Sequence, residues 1–105
     1  MATIILAANT PTLLLNENPK RKRLRLQMLA TDLDANNLGR IHIGFGFQPQ
    51  SVVGNPAAGE ILVPSASMDE PPAGAEISPD RKKAIWANSS VADQTMTVEE
   101  ETENG

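Results

Sequence analysis

Metal or acid–base chemistry would need clustered ligands or paired groups, and among its 105 residues this chain offers one histidine, His42, and no cysteine. A general base needs an orienting partner, and a serine nucleophile needs a histidine held by a carboxylate. Here the acidic residues gather in loops and near the end of the sequence, and no segment reads as a nucleophile elbow. Without thiolates or clustered His, Asp and Glu, no metal set is expected. Gly44-Phe45-Gly46 matches half of a phosphate-binding glycine pattern, but it lies inside an alternating segment with no helix after it. The chain therefore reads as non-enzymatic, with no cofactor and no metal. His42 reads as a solvated side chain on the polar face of a strand.

Binding chemistry is better represented. Lys20-Arg21-Lys22-Arg23-Leu24-Arg25 is the one conspicuous charge cluster. As a nucleic-acid site it would want interleaved aromatic residues to stack on bases, and it has none. It merges instead into an alternating segment, so Arg21, Arg23 and Arg25 are expected to form one exposed strand face available to a protein partner. A basic row on an edge strand also opposes stray edge-to-edge pairing. Trp86 is expected in the core, since a chain with two Phe, one Trp and no Tyr has few large groups with which to fill an interior.

The elements that must carry these residues are short. Eight prolines and seven glycines, with Asn, Asp and Ser between apolar runs, break the chain at the rhythm of an all-β sandwich or barrel. Residues 3–8 and 12–15 are apolar and read as strands or extended arms. Residues 22–30 alternate, setting Leu24, Leu26 and Met28 against Arg23, Arg25 and Gln27 with the period of two of a half-buried strand. Residues 40–47 alternate again, placing Ile41, Ile43, Phe45 and Phe47 on one face and Arg40, His42, Gly44 and Gly46 on the other. Gly44 and Gly46 are expected to admit a neighbouring backbone or to mark a bulge. Residues 31–39 and 48–58 read as loops, 60–63 as a short strand, 75–77 as a further strand within a proline-rich stretch, 84–87 as a strand, and 95–99 as the closing strand with Val98 inward. No apolar spacing of three to four residues persists, so no long helix is expected.

The fold class expected is thus all-β, a small antiparallel β-sandwich of jelly-roll or Greek-key type with about seven or eight strands. Its divisions are an N-terminal strand or arm over 1–16, the sandwich over 17–99 and an acidic flexible tail over 100–105. The core is assigned to Leu24, Leu26, Met28, Ile41, Ile43, Phe45, Trp86 and Val98. Interface candidates are Ile4, Ile5, Leu6, Leu13 and Leu14 of the N-terminal segment, the three arginines, and Gln48, Gln50 and Asn55 of the long loop. The run at residues 4–8 lacks preceding cations and is far shorter than a bilayer crossing, so neither a signal peptide nor a membrane span is read. Net charge is −4, but the halves differ: residues 1–50 carry six Lys/Arg against three Asp/Glu, and residues 51–105 carry three against ten. That polarity suits contacts between subunits, where opposite potentials set the register of docking. It suits nucleic acid poorly, because ten carboxylates repel phosphate.

Five stretches carry a resemblance: Asn18-Pro19-Lys20-Arg21-Lys22-Arg23-Leu24-Arg25-Leu26-Gln27, Arg40-Ile41-His42-Ile43-Gly44-Phe45-Gly46, Gly59-Glu60-Ile61-Leu62, Ala84-Ile85-Trp86-Ala87-Asn88-Ser89-Ser90, and Thr95-Met96-Thr97-Val98-Glu99. Together, over residues 17–101, they resemble a group of small virion proteins of tailed bacteriophages. The chain departs from that pattern at Met28, where asparagine commonly stands, and in the length and proline content of residues 64–79. The resemblance implies a capsid decoration (cement) protein or head accessory protein, an antiparallel sandwich on the virion surface, made in the host cytoplasm. It would bridge major capsid protein subunits and associate with itself, most often as a trimer. Two rival functions keep the fold or the charge: a host-surface or glycan-binding module of a head fibre or tail, which needs exposed aromatic platforms, and a nucleic-acid-binding accessory protein using residues 20–25, whose affinity would fall steeply with salt.

Overall fold

The computed structural model describes residues 2–28, 40–50, 59–63, 66–71, 75–91 and 94–102. They form eight strands: β1 (Ala2–Leu6), β2 (Thr12–Leu15), β3 (Arg21–Met28), β4 (Ile41–Phe45), β5 (Glu60–Leu62), β6 (Ser67–Glu70), β7 (Ile85–Asn88) and β8 (Gln94–Thr102), with a 3-10 turn at Pro79–Lys82 before β7. Two four-stranded sheets result, ordered β1-β8-β3-β6 and β2-β7-β4-β5. All pairings between these strands are antiparallel, and one isolated bridge, Ala8 with Ser89, is parallel.

That order has a simple origin. Strand β1 pairs with β8, β2 with β7, β3 with β6 and β4 with β5, as if the chain were one long hairpin. Wrapping the hairpin into two layers adds the pairs β3·β8 and β4·β7. This is the eight-stranded jelly roll, in which two sheets close over one core. The all-β sandwich expected from the turn rhythm is what the chain forms. Of the two connectivities left open, jelly roll is the one adopted.

One apolar cluster joins the layers. Leu6, Leu24, Leu26, Met28, Met96 and Val98 come from the first sheet, and Leu14, Ile41, Ile43, Phe45, Leu62, Ile85 and Ala87 from the second. Each fully buried Leu, Ile or Met contributes roughly 1.5–3 kcal/mol of transfer free energy. Alternation explains most of the membership. It also removes Trp86, which is half-buried rather than central: β7 sends Ile85 and Ala87 inward, so the residue between them faces out.

Several expectations need correction. Leu6 and Leu14, expected at an interface, sit in the chain's own core; of the two alternatives for the N-terminal segment, strand or arm, β1 and β2 are strands of the two sheets. The tail does not begin at residue 100, because β8 continues to Thr102 opposite Arg21. Residues 75–77 lie in no strand, and the strand of that region is β6, which covers the free side of β3 with Leu24 opposite Glu70 and Gln27 opposite Ser67. Residues 31–39 and Asn55 fall outside the described residues.

The second corner of β4 also departs from alternation. At Gly46 (φ 84°) the chain turns out of the strand, and its N–H donates to the Ala84 carbonyl at 2.6 Å. Phe47 is therefore 41% exposed rather than inward. Residues 46–50 then fold back across the outer side of β4. Pro49 is buried there, and its carbonyl accepts from Asn88 Nδ2 at 3.0 Å. His42, expected in solvent, is 2% exposed and lies opposite Asn88, the residue that holds the strap through Pro49.

Candidate docking surfaces

Strict alternation would put Arg21 beside Arg23 and Arg25 on the exposed face of β3. The structure turns it inward. Pairing with β8 shifts register between Arg21 and Arg23, since Arg21 opposes Thr102 while Arg23 opposes Glu101. The extra residue, Lys22, reverses the phase of everything before it. Arg21 is 0% exposed, and its guanidinium is held on all sides: Nε donates to Glu100 Oε2 at 2.7 Å, Nη1 to the carbonyls of Arg81 (2.6 Å) and Lys83 (3.1 Å), and Nη2 to that of Asn16 at 2.8 Å. It ties β3, β8, the 3-10 turn and the end of β2 together. As an interface residue it is withdrawn.

A second arginine, absent from the sequence reading, closes the same end of the sandwich. Arg81 stacks its guanidinium over the Phe45 ring, 4.0 Å from the centroid, and pairs with Glu60 through Nη2, with Glu70 through Nε at 3.6 Å and with Asp80 through Nη1 at 3.4 Å. Glu60 belongs to one sheet and Glu70 to the other, so one side chain bridges the layers. Only its position in space gives it that role; nothing local in Pro79-Asp80-Arg81-Lys82 announces it.

Asp80 itself is held below the ordinary aspartate value of 3.8, first by the Ser78 hydroxyl donating to Oδ1 at 2.7 Å; desolvation, next in size, opposes this, and Arg81 and then Lys83 add to the lowering. A carboxyl whose native pKa is depressed stabilises the fold above its unfolded value and loses that stabilisation as pH falls through the native one. Replacing Ser78 with alanine should move the Asp80 titration, followed by carboxyl-carbon NMR, back up toward 3.8. An unmoved midpoint would rule out the hydroxyl as the main cause.

The outer face of β1-β8-β3-β6 is a charge ladder. Arg25 lies between Asp69 of β6 and Glu99 of β8, and Arg23 opposes Glu101. Contacts are long and exposed: Arg25–Asp69 3.3 Å, Arg23–Glu101 3.7 Å, Lys22–Glu101 3.8 Å. Such pairs contribute about 0–1 kcal/mol each. Three cations thus meet three carboxylates, so the ladder holds no excess positive charge with which to attract a polyanion.

The outer face of β2-β7-β4-β5 is of another kind. Leu13 (40% exposed), Ile61 (41%) and Val63 (46%) point outward from its two edges, with half-buried Trp86 between them and Phe47 on the strap. Leu13 pairs with Trp86, Trp86 with Gly44, and Ile61 with His42, which places them on one face. Within the four strands, none of the outward positions carries Asp, Glu, Lys or Arg; exposed Arg40, just before β4 and next in register to Val63, stands at the rim of the face. Gln48 and Gln50 are exposed on the strap beside it. Of the N-terminal candidates, Leu13 belongs to this face, while Ile5 and half-buried Ile4 belong to β1 at the edge of the other sheet.

Chemically, these surfaces are equipped for contact. Among the described residues, no group of three or more His, Cys, Asp and Glu is placed to hold a metal ion. Searches of protein-family models, curated proteins and solved structures returned no match to this chain.

Proposed function

We propose that this protein is a structural module that docks on other protein subunits through the outer face of β2-β7-β4-β5, and that the surface it grips is the outside of a bacteriophage capsid. The observation that carries the docking role is the apolar outer face itself, whose one described charge beside the strands is Arg40 at the rim. A small sandwich surrounded by water is expected to present polar outer faces on both sheets, as the other sheet does across β8, β3 and β6. An outward row of Leu13, Trp86, Phe47, Ile61 and Val63 is the composition of an interface centre, where aromatic and aliphatic side chains concentrate and charges are excluded. The capsid as partner is supported by the strand pattern of residues 17–101. The jelly roll is compatible with it but serves lectins and enzymes too, so the fold adds no more than compatibility.

The test is particle binding. Virions stripped of this protein should lose DNA at lower temperature than complete ones, and adding back the purified chain should restore the difference. Ile61→Asp and Leu13→Asp, both at positions about 40% exposed, should leave urea unfolding nearly unchanged and weaken particle binding at least tenfold, about 1.4 kcal/mol. Unchanged particles without the chain, or undiminished binding by both variants, would refute the reading.

A further inference from the structure

We infer that β1 is a pairing edge, and that in solution it is taken by β1 of a second copy of this chain. This goes beyond the capsid reading and does not depend on it.

Each sheet ends in two edge strands, β1 and β6 in one and β2 and β5 in the other. An edge offers a row of unpaired N–H and C=O groups, and proteins protect such rows with charge, short length or bulges. Three of the four edges here are protected in those ways. Asp69 and Glu70 lie in β6. Only three residues long, β5 includes Glu60. A register shift between Leu13 and Leu15 breaks β2. By contrast β1 has none of these devices: its sequence ATIIL is uncharged and without proline, and its register with β8 runs unbroken over five pairs. Among the described residues it is hydrogen-bonded as a strand on one side only. Its outward Ile5 is 66% exposed, the highest value among the large hydrophobic side chains of the described residues.

A second copy of β1 fits this edge without mismatch. Antiparallel pairing of β1 with itself about Ile4 sets Ile4 against Ile4 of the second copy, and Thr3 against Ile5 in both directions. Inward positions then meet inward positions and outward meet outward, so the pleats of the two sheets run on without a break. Self-pairing sets like against like at the centre, which a charged strand would resist and this one does not. β-Branched cross-strand neighbours contribute roughly 0.2–1 kcal/mol per pair. The product is one continuous sheet across a two-fold axis, an association that closes at two. A five-residue edge buries less than the roughly 800 Å² per partner of stable complexes, so the dimer is a concentration-dependent one.

Sedimentation equilibrium of the full chain should show a monomer–dimer equilibrium. Ile5→Lys, which puts two lysines at diagonal positions about 7–8 Å apart across the axis, should weaken the dimer at least tenfold while leaving the urea midpoint in place. In this cysteine-free chain, Ile4→Cys should form a disulfide-linked dimer on mild oxidation, because directly opposed strand residues lie at about 4.5–5.5 Å between Cα atoms. Ser67→Cys, on the β6 edge, should not. A monomer at all concentrations, a trimer as the resemblance implies, a dimer indifferent to Ile5→Lys, or cross-linking through Ser67→Cys alone would each overturn the inference. A dimer that fails to bind particles would sink the docking reading and spare this one; a monomer that binds them would do the reverse.

Discussion

Replacing Arg21 with methionine should lower the unfolding free energy by about 3–5 kcal/mol, while the same change at Arg23, two residues away, should alter it by less than about 1 kcal/mol. The two positions are chemically alike in sequence and opposite in place. Arg23 is exposed, with its carboxylate partner 3.7 Å away in solvent. Arg21 is wholly buried and donates to Glu100 and to three backbone carbonyls, those of Asn16, Arg81 and Lys83. Methionine fills most of the space but donates nothing, so those carbonyls lose their partners inside the protein, and each such loss carries a desolvation penalty of about 1–3 kcal/mol. Glu100 is partly exposed and recovers some hydration, which keeps the total below the simple sum. Against the roughly 5–15 kcal/mol of a domain this size, the loss is a large fraction. Lysine at position 21 keeps the charge but not the planar fork, and should fall between methionine and the native residue. Urea unfolding of the three variants decides the matter; an Arg21→Met protein as stable as Arg23→Met would mean that β3 has no bulge and that Arg21 faces water.

That contrast also shows what could be read from the chain alone. Leu24, Leu26, Met28, Ile41 and Ile43 announce their burial through a period of two, which is a property of one strand by itself. The inward turn of Arg21 is a property of two strands, because the bulge exists only in the pairing of β3 with β8 across more than seventy residues. The same non-local cause carries β8 through Glu100 and Glu101, which read as solvated tail until arginine and lysine from β3 stand opposite them. Ile61 and Val63 share a face by simple alternation, but only the sheet order tells that this face is the outer one. Size alone points Trp86 to the core, but its place in β7 between inward Ile85 and Ala87 turns it outward. Arg81 could not be located at all, since its partners Glu60, Glu70 and Phe45 come from three separate strands.

Gly44 offers the second large effect, and its direction runs against the usual rule. In a strand interior, glycine is ordinarily a weakness, and alanine gains about 0.5–1 kcal/mol over it. Here a Cβ on residue 44 would stand 2.3 Å from the Phe47 carbonyl oxygen and 2.9 Å from Pro49 Cδ. The first of these is backbone, so relief requires the whole strap to rise rather than a side chain to swing aside. Raising it separates Asn88 from the Pro49 carbonyl and lets water reach His42. Overpacking of about 1–3 kcal/mol, with a buried hydrogen bond lost besides, outweighs the propensity gain. Gly44→Ala should therefore destabilise by about 2 kcal/mol, and Gly44→Val by more. His42 should also become reactive toward an imidazole-modifying reagent under conditions where the chain stays folded. Phe47 rides on the strap and belongs to the proposed docking face, so Gly44→Ala should weaken particle binding even below its unfolding transition, as Arg23→Gln should not. A Gly44→Ala protein that is neutral or stabilised, with His42 still protected, would show that the strap does not rest on β4 and would remove Phe47 from the face.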